Sequence, residues 1–197
     1  MIAPASRRER RTTRDRRSTS QTTSGSARAT ILGRARIGAG ARAGEPLELV
    51  LAIEDDDPDR ERLLAHGWSL RPPELVATPE RYRDYVAGSF GEFSCAKGGY
   101  LGTHSGWFGD RSASYLAAGR PVDLRATGFE DVLPAGAGAG AIAVRSADAA
   151  ADAIAEARGD YARHRAAALE LAHEFFDVER LFDGALQVAG IPRGSPL

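Results

Sequence analysis

The stretch from Glu92 to Phe129, EFSCAKGGYLGTHSGWFGDRSASYLAAGRPVDLRATGF, restricts what this chain can fold into more than any other. A short apolar run at 93–96 leads into a segment holding Gly98, Gly99, Gly102, Gly106 and Gly109. Residues 111–118 then carry a helical pattern stopped by Gly119, and Pro121-Val122-Asp123-Leu124 opens a second strand. Strand, glycine-rich loop, helix and strand in that order bring backbone N–H groups and the positive end of a helix dipole to one place. An anionic phosphate suits such a place; a plain surface loop is the alternative that the glycines alone leave open.

The rest of the chain supplies alternating elements around this unit. Residues 47–53 (LELVLAI) read as a strand, and Asp57 with Pro58 reads as the N-cap and first position of a helix over 60–66, closed by Gly67. Trp68-Ser69-Leu70 makes a brief strand and Arg71-Pro72-Pro73 a turn. Thr78 and Pro79 open a helix that ends at Gly88. After the central unit, residues 141–144 form a short strand, Ser146 caps a helix running toward Gly159, and Asp160 caps another in which Tyr161, Ala168, Leu169, Ala172, Phe175 and Phe176 recur near helical period. A last helix over 178–189 carries Leu181, Phe182, Ala185 and Leu186. This alternation predicts an α/β fold: one doubly wound parallel sheet over 47–190, covered by helices on both faces. A ligand then belongs beyond the carboxyl ends of the strands, where the loops after Ala96 and Thr127 fall.

Several tempting features carry less. Asp55, Asp56 and Asp57 resemble a metal-binding triplet, but no second spaced ligand cluster accompanies them, and helix capping accounts for their place. The run Ala135-Gly136-Ala137-Gly138-Ala139-Gly140 lacks the strand-turn-helix setting of a dinucleotide fingerprint and reads as a connector. Cys95 is the only cysteine, so no internal disulfide forms, and its apolar strand makes it a buried structural thiol.

Thr103-His104-Ser105-Gly106-Trp107, followed by Leu116-Ala117-Ala118-Gly119-Arg120-Pro121-Val122, resembles the nucleotide-sugar box of GT-B glycosyltransferases. The longer pattern of GEFS-x-AK-x-GY, SGWF, DRS, YLA-x-GRP and TGF resembles a group of bacterial glycosyltransferase-like proteins, over about residues 47–190 and most specifically over 88–133. The resemblance implies a Rossmann-like C-terminal half of a GT-B fold over 46–190, with the nucleoside-diphosphate sugar as metal-independent donor substrate and no cofactor. It implies donor-binding roles for Lys97, His104, Ser105, Gly106, Trp107, Asp110, Arg111, Ser112, Thr127 and Gly128, and it names no catalytic residue. His104 is the best single match, standing where the family's histidine contacts phosphate. Arg111 and Lys97 are alternative phosphate cations or surface ion-pair partners. Trp107 either stacks on a ligand or packs beneath the loop, with packing preferred.

The chain departs from the family pattern at two points. Phe108 and Gly109 replace the Asn and Ser that follow the tryptophan, and the helix glutamate that holds ribose hydroxyls is absent. Its position falls on Ser114 counted back from Gly119, or on Ser112 counted forward from His104; Asp110 substitutes only if the helix begins earlier. The larger departure is the second Rossmann-like half that completes a GT-B cleft and normally brings the acceptor site and catalytic base. Residues 1–44 cannot build it, so the expectation is a truncated reading frame, a separate N-terminal half, or a homo-oligomer.

Charge is divided along the chain. Residues 1–45 hold 11 arginines against Glu9, Asp15 and Glu45, a net +8, which leaves −9 for the remainder of a chain whose total is −1. This Arg/Ser/Thr-rich segment is poor in large apolar residues and reads as a disordered tail and linker; residues 191–197 form a C-terminal tail. With no aromatics among its arginines, it is a weak case for nucleic-acid binding. No signal-peptide core or run of about 20 apolar residues is present, which with the single cysteine predicts a soluble cytoplasmic protein.

Overall fold

The computed structural model describes residues 47–96, 98–133 and 139–191. The expected tail at 1–45, Lys97, most of the alanine-glycine connector and residues 192–197 lie outside the described residues. Among those described, five short strands pair only in parallel. β1 (Leu47–Val50) pairs with β2 (Trp68–Arg71), in register Leu47 to Trp68. β3 (Glu92–Ser94), β4 (Val122–Arg125) and β5 (Ala141–Val144) form a second sheet in that order, with Glu92 beside Val122 and Val122 beside Ala141. The single continuous sheet expected from the sequence is therefore corrected to two. β3 has three residues and ladders only to β4, and the sheets meet through side chains, with Phe93 packed against Trp68 at 6.2 Å between ring centroids.

Helices cover both faces. α1 (Pro58–Ala65) lays Leu63 on Leu47, Leu49, Trp68 and Leu70. Asp57 caps it, its carboxylate accepting the Asp59 amide at 2.9 Å, while Asp55 pairs with Arg60. α2 (Pro79–Gly88) starts at Thr78, whose hydroxyl accepts the Arg81 amide. A helical turn, α3 (Gly98–Gly102), stands where the sequence predicts open loop. Thr103 Oγ1 and Ser105 Oγ donate to its carbonyls at Gly99 and Tyr100, so local hydroxyls supply what glycine propensity does not.

α4 (Asp110–Ala117), α5 (Ala147–Gly159), α6 (Tyr161–Phe175) and α7 (Val178–Val188) complete the described helices. Ser146, Asp160 and Asp177 cap the last three through side-chain oxygens. Strand alternation sorts the three-stranded sheet into two faces. Val122, Leu124 and Ala141 point into a core built with Tyr115 and Leu116 of α4, Val86 of α2 and Ala168, Leu171 and Ala172 of α6. Phe93, Ile142 and Val144 meet Ala150 and Ala153 of α5 on the other.

Gly119, at φ +65°, ends α4, and a β-carbon there would press on Leu169 of α6 at 3.3 Å. Arg120 donates to the Ala87 carbonyl and to the Tyr161 hydroxyl, which donates to the Phe90 carbonyl at 2.7 Å.

Phe175 and Phe176 are half-buried against the core, Phe176 stacked on Phe108. α7 buries none of its residues: Val178, Leu181, Phe182 and Val188 are 63%, 56%, 65% and 91% exposed. Phe175 and Phe176 of α6 thus lie on the core, whereas Phe182 of α7 faces solvent. Among the described residues, no helix is long and apolar enough to cross a membrane.

Candidate functional site

Two loops meet at the carboxyl ends of β3 and β4. The Gly106 amide donates to the Thr127 carbonyl at 2.9 Å, and the Thr127 hydroxyl returns a bond to the Trp107 carbonyl at 2.7 Å. Thr127 is 1% exposed, so this pair of bonds clamps the glycine loop from beneath. Gly128 has φ +102°, and a β-carbon on it would come within 3.0 Å of the His104 ring and 3.1 Å of the His104 carbonyl oxygen. Glycine is required there for backbone conformation and for close approach alike.

His104 has φ +49°, the one positive value at a non-glycine position among the described residues. A left-handed conformation at such a residue costs about 1–2 kcal/mol and has to be held by its surroundings. Asp131 holds it: His104 Nε2 lies 3.0 Å from Asp131 Oδ2, with the two side chains 64% and 69% exposed. Glu130 secures the same turn, its carboxylate accepting the Gly128 amide and pairing with Arg145 at 3.0 Å each.

Trp107 stands 47% exposed on this loop with Tyr100 of α3 stacked on it, ring centroids 4.4 Å apart and planes 2° from parallel. The expectation that Trp107 packs beneath the loop is corrected: Phe108 takes the inward place, edge-on to Phe129 at 5.5 Å, and alternation around the turn sends Trp107 outward.

The first turn of α4 closes the arrangement. Gly109 gives it no side-chain cap, and the Asp110 carboxylate accepts the Arg111 amide at 2.8 Å. Of the two roles open to Arg111 in the sequence, the structure shows the ion pair with a carboxylate. Its Nε donates to Glu92 Oε1 at 2.6 Å and an Nη to Ser94 Oγ at 2.8 Å, so its head group is directed to β3. Burial opposes the Arg111 charge, but the Glu92 charge and hydrogen bond hold its pKa above the usual value. Glu92 is 6% exposed. Ser112 is 2% exposed and turned into the fold, leaving Ser114, whose hydroxyl donates to the Asp110 carbonyl, as the outer of the two serines.

The structure thus brings His104, Gly106, Trp107, Thr127 and Gly128 together, keeps Ser105 and Asp110 on the same loop and first turn, pairs Arg111 with Glu92 and buries Ser112. Sequence reasoning missed Asp131, Glu130 and Tyr100. The TGFED string placed two carboxylates after a turn glycine, but their contact with a histidine 27 residues away has no signature in spacing.

A second buried carboxylate lies on the α5 face of β4. Asp123 is 7% exposed with Oδ1 unpartnered, and burial, then the charges of Glu156 and Glu92, push its pKa up to about 7. Among the described residues no group of three or more His, Cys, Asp or Glu side chains is placed to hold a metal ion. Two shallow hollows, one lined by Leu75, Arg81, Asp84 and Tyr85 and the other by Val178, Glu179, Phe182 and Asp183, both lie away from the paired loops. No family model, curated protein or solved structure matched the chain.

Proposed function

We propose that the paired loops are the donor-binding part of a glycosyltransferase-type domain and hold the diphosphate of a nucleoside-diphosphate sugar. The observation that carries this reading is the clamp of the 104–107 loop onto Thr127 and Gly128 beside an α4 N-terminus without a side-chain cap. Developing charge on a departing diphosphate needs oriented N–H dipoles and hydrogen-bond donors, and His104 lies against Gly128 on the paired loops. Trp107, exposed on that loop and stacked on Tyr100, offers an aromatic surface to the nucleoside. The surface is open, so affinity is weak, and transfer requires the second half of a cleft from a partner domain.

A noncatalytic α/β module is the second reading, favoured by the partners the box residues already have: Arg111 on Glu92, His104 on Asp131 and Asp110 on the helix's own amide.

Titration of UDP, GDP and dTDP by calorimetry, with Trp107 emission followed in parallel, separates the readings. Trp68 is 4% exposed, so quenching by a bound base reports on Trp107. The donor reading expects quenching by at least one nucleotide and a loss of about 1–3 kcal/mol in His104→Ala, the range for a charge-assisted contact. Neither heat nor quenching at millimolar nucleotide supports the noncatalytic module.

A further inference from the structure

We infer that Asp131 makes phosphate binding at His104 proton-linked: it commits Nε2 of the imidazole, so the ring donates to a phosphate oxygen only through Nδ1, and only after taking up a proton. The inference rests on the donor reading above and adds the condition under which that site engages its ligand.

The two edges of the His104 ring have different surroundings. The edge holding Cδ2 and Nε2 rests on Gly128, where a β-carbon would fall 3.0 Å from Cδ2 and 3.1 Å from Nε2, and the same nitrogen lies 3.0 Å from Asp131 Oδ2. Nδ1 is on the opposite edge and has no hydrogen-bond partner among the described residues. The side chain is 64% exposed, and since one edge is seated on Gly128, the exposure falls on the Nδ1 edge. Turning the ring over would present a carbon, Cε1, to Asp131, so this contact also decides which nitrogen faces solvent. A ligand that reaches the ring from solvent meets Nδ1.

A carboxylate only accepts hydrogen bonds, so the nitrogen facing Asp131 keeps its proton in the neutral ring and in the charged one alike. In the neutral ring Nδ1 is then a lone pair, which repels phosphate oxygens. With a proton added it becomes an N–H that donates to them with charge assistance. That proton comes from solvent and stays on Nδ1 while the ligand is bound. The other charged groups of the paired loops have partners of their own: Glu130 takes the Gly128 amide and Arg145, Asp110 takes the Arg111 amide, and Arg111 is held by Glu92. Among the described residues, Asp131 is the titratable group bonded to the ring.

Calorimetry of the full chain with UDP, GDP and dTDP from pH 7.5 to 8.5, repeated in buffers of different ionisation enthalpy, counts the protons taken up. Phosphates lose their second proton at about pH 6, so the charge of the ligand is constant over this range. The wild type should take up close to about one proton per nucleotide, and its affinity should fall toward tenfold per pH unit, as one linked proton requires. Asp131→Ala removes the acceptor that keeps the proton on Nε2, and a neutral ring can then carry it on Nδ1 and donate it. Uptake should fall by at least about half and affinity at pH 8.5 should rise about threefold or more. Loss of a negative charge alone would raise the affinity without lowering the uptake. His104→Asn sets an amide N–H near the place of Nδ1, on a residue that tolerates positive φ, and should bind with no uptake and no pH slope. Nucleotide bound by the wild type without proton uptake, or uptake that persists in Asp131→Ala or His104→Asn, overturns the inference and leaves the donor reading standing. Binding of none of the three nucleotides overturns both.

Discussion

Replacing Arg111 by alanine tests the site and the fold together. As a loop cation kept for phosphate, Arg111 would contribute little to stability, and its loss would pass unnoticed in unfolding. The geometry requires the opposite. The Glu92 side chain is 5% exposed, its Oε1 takes Arg111 Nε at 2.6 Å, and its Oε2 has no partner. Removing the cation from a fully buried pair costs about 3–5 kcal/mol, because the remaining charge is stranded. Here the Arg111 side chain is 56% exposed, so water recovers part of that loss, and about 1.5–3 kcal/mol remains. Urea unfolding at pH 7, followed through buried Trp68, should show the midpoint falling by about 1 M.

One control isolates the cause: adding Glu92→Gln removes the stranded charge and should recover at least half of the deficit. Stability within 0.5 kcal/mol of wild type, or a double variant no better than the single one, refutes the reasoning.

Two further perturbations follow from named contacts. Asp123, with its folded-state pKa pushed to about 7 against an ordinary value of 3.8, binds a proton that the unfolded chain releases. Wild-type stability should therefore fall as pH rises from about 4 through 7, and Asp123→Asn should flatten that part of the curve, as pH-dependent thermal melts will show. Gly128→Ala must place a side chain at φ +102° and 3.0 Å from the His104 ring. It should cost about 1–3 kcal/mol in urea unfolding and, where His104 contacts phosphate, weaken nucleotide binding as well.

Element types and caps were legible in the sequence wherever the signal was local. Ser146, Asp160 and the Thr78-Pro79 pair announced helices that begin where those residues place them, and residues 141–144 form the strand that their apolar run indicates. The meeting of the loops after β3 and β4 was also legible, since parallel strands send their carboxyl-end loops to one side. Tertiary partners were not. Arg111 could equally serve a phosphate or a carboxylate until the strand face of Glu92 was known. Trp107 and Phe108 are adjacent aromatics, and only the turn of the loop decides which of them goes inside. The break between the sheets also escaped notice, because ladder formation depends on how far β3 extends and not on its composition.

That break sets a smaller unit, the two-stranded sheet with α1, beside a larger one built on the three-stranded sheet, with no ladder bond between the two sheets. β1, β2 and α1 share an apolar cluster whose tie to the three-stranded sheet includes Phe93, which also packs with Val144, Ala150 and Ala153 of the other unit. Backbone amides in the 47–71 segment should therefore exchange faster than those of β3, β4 and β5, since opening there breaks no ladder bond of the three-stranded sheet. Thr127, Gly128 and the loop they clamp belong wholly to the larger unit. The paired loops keep their shape through such excursions, and Phe93 is where a core substitution would uncouple the opening of one unit from the other.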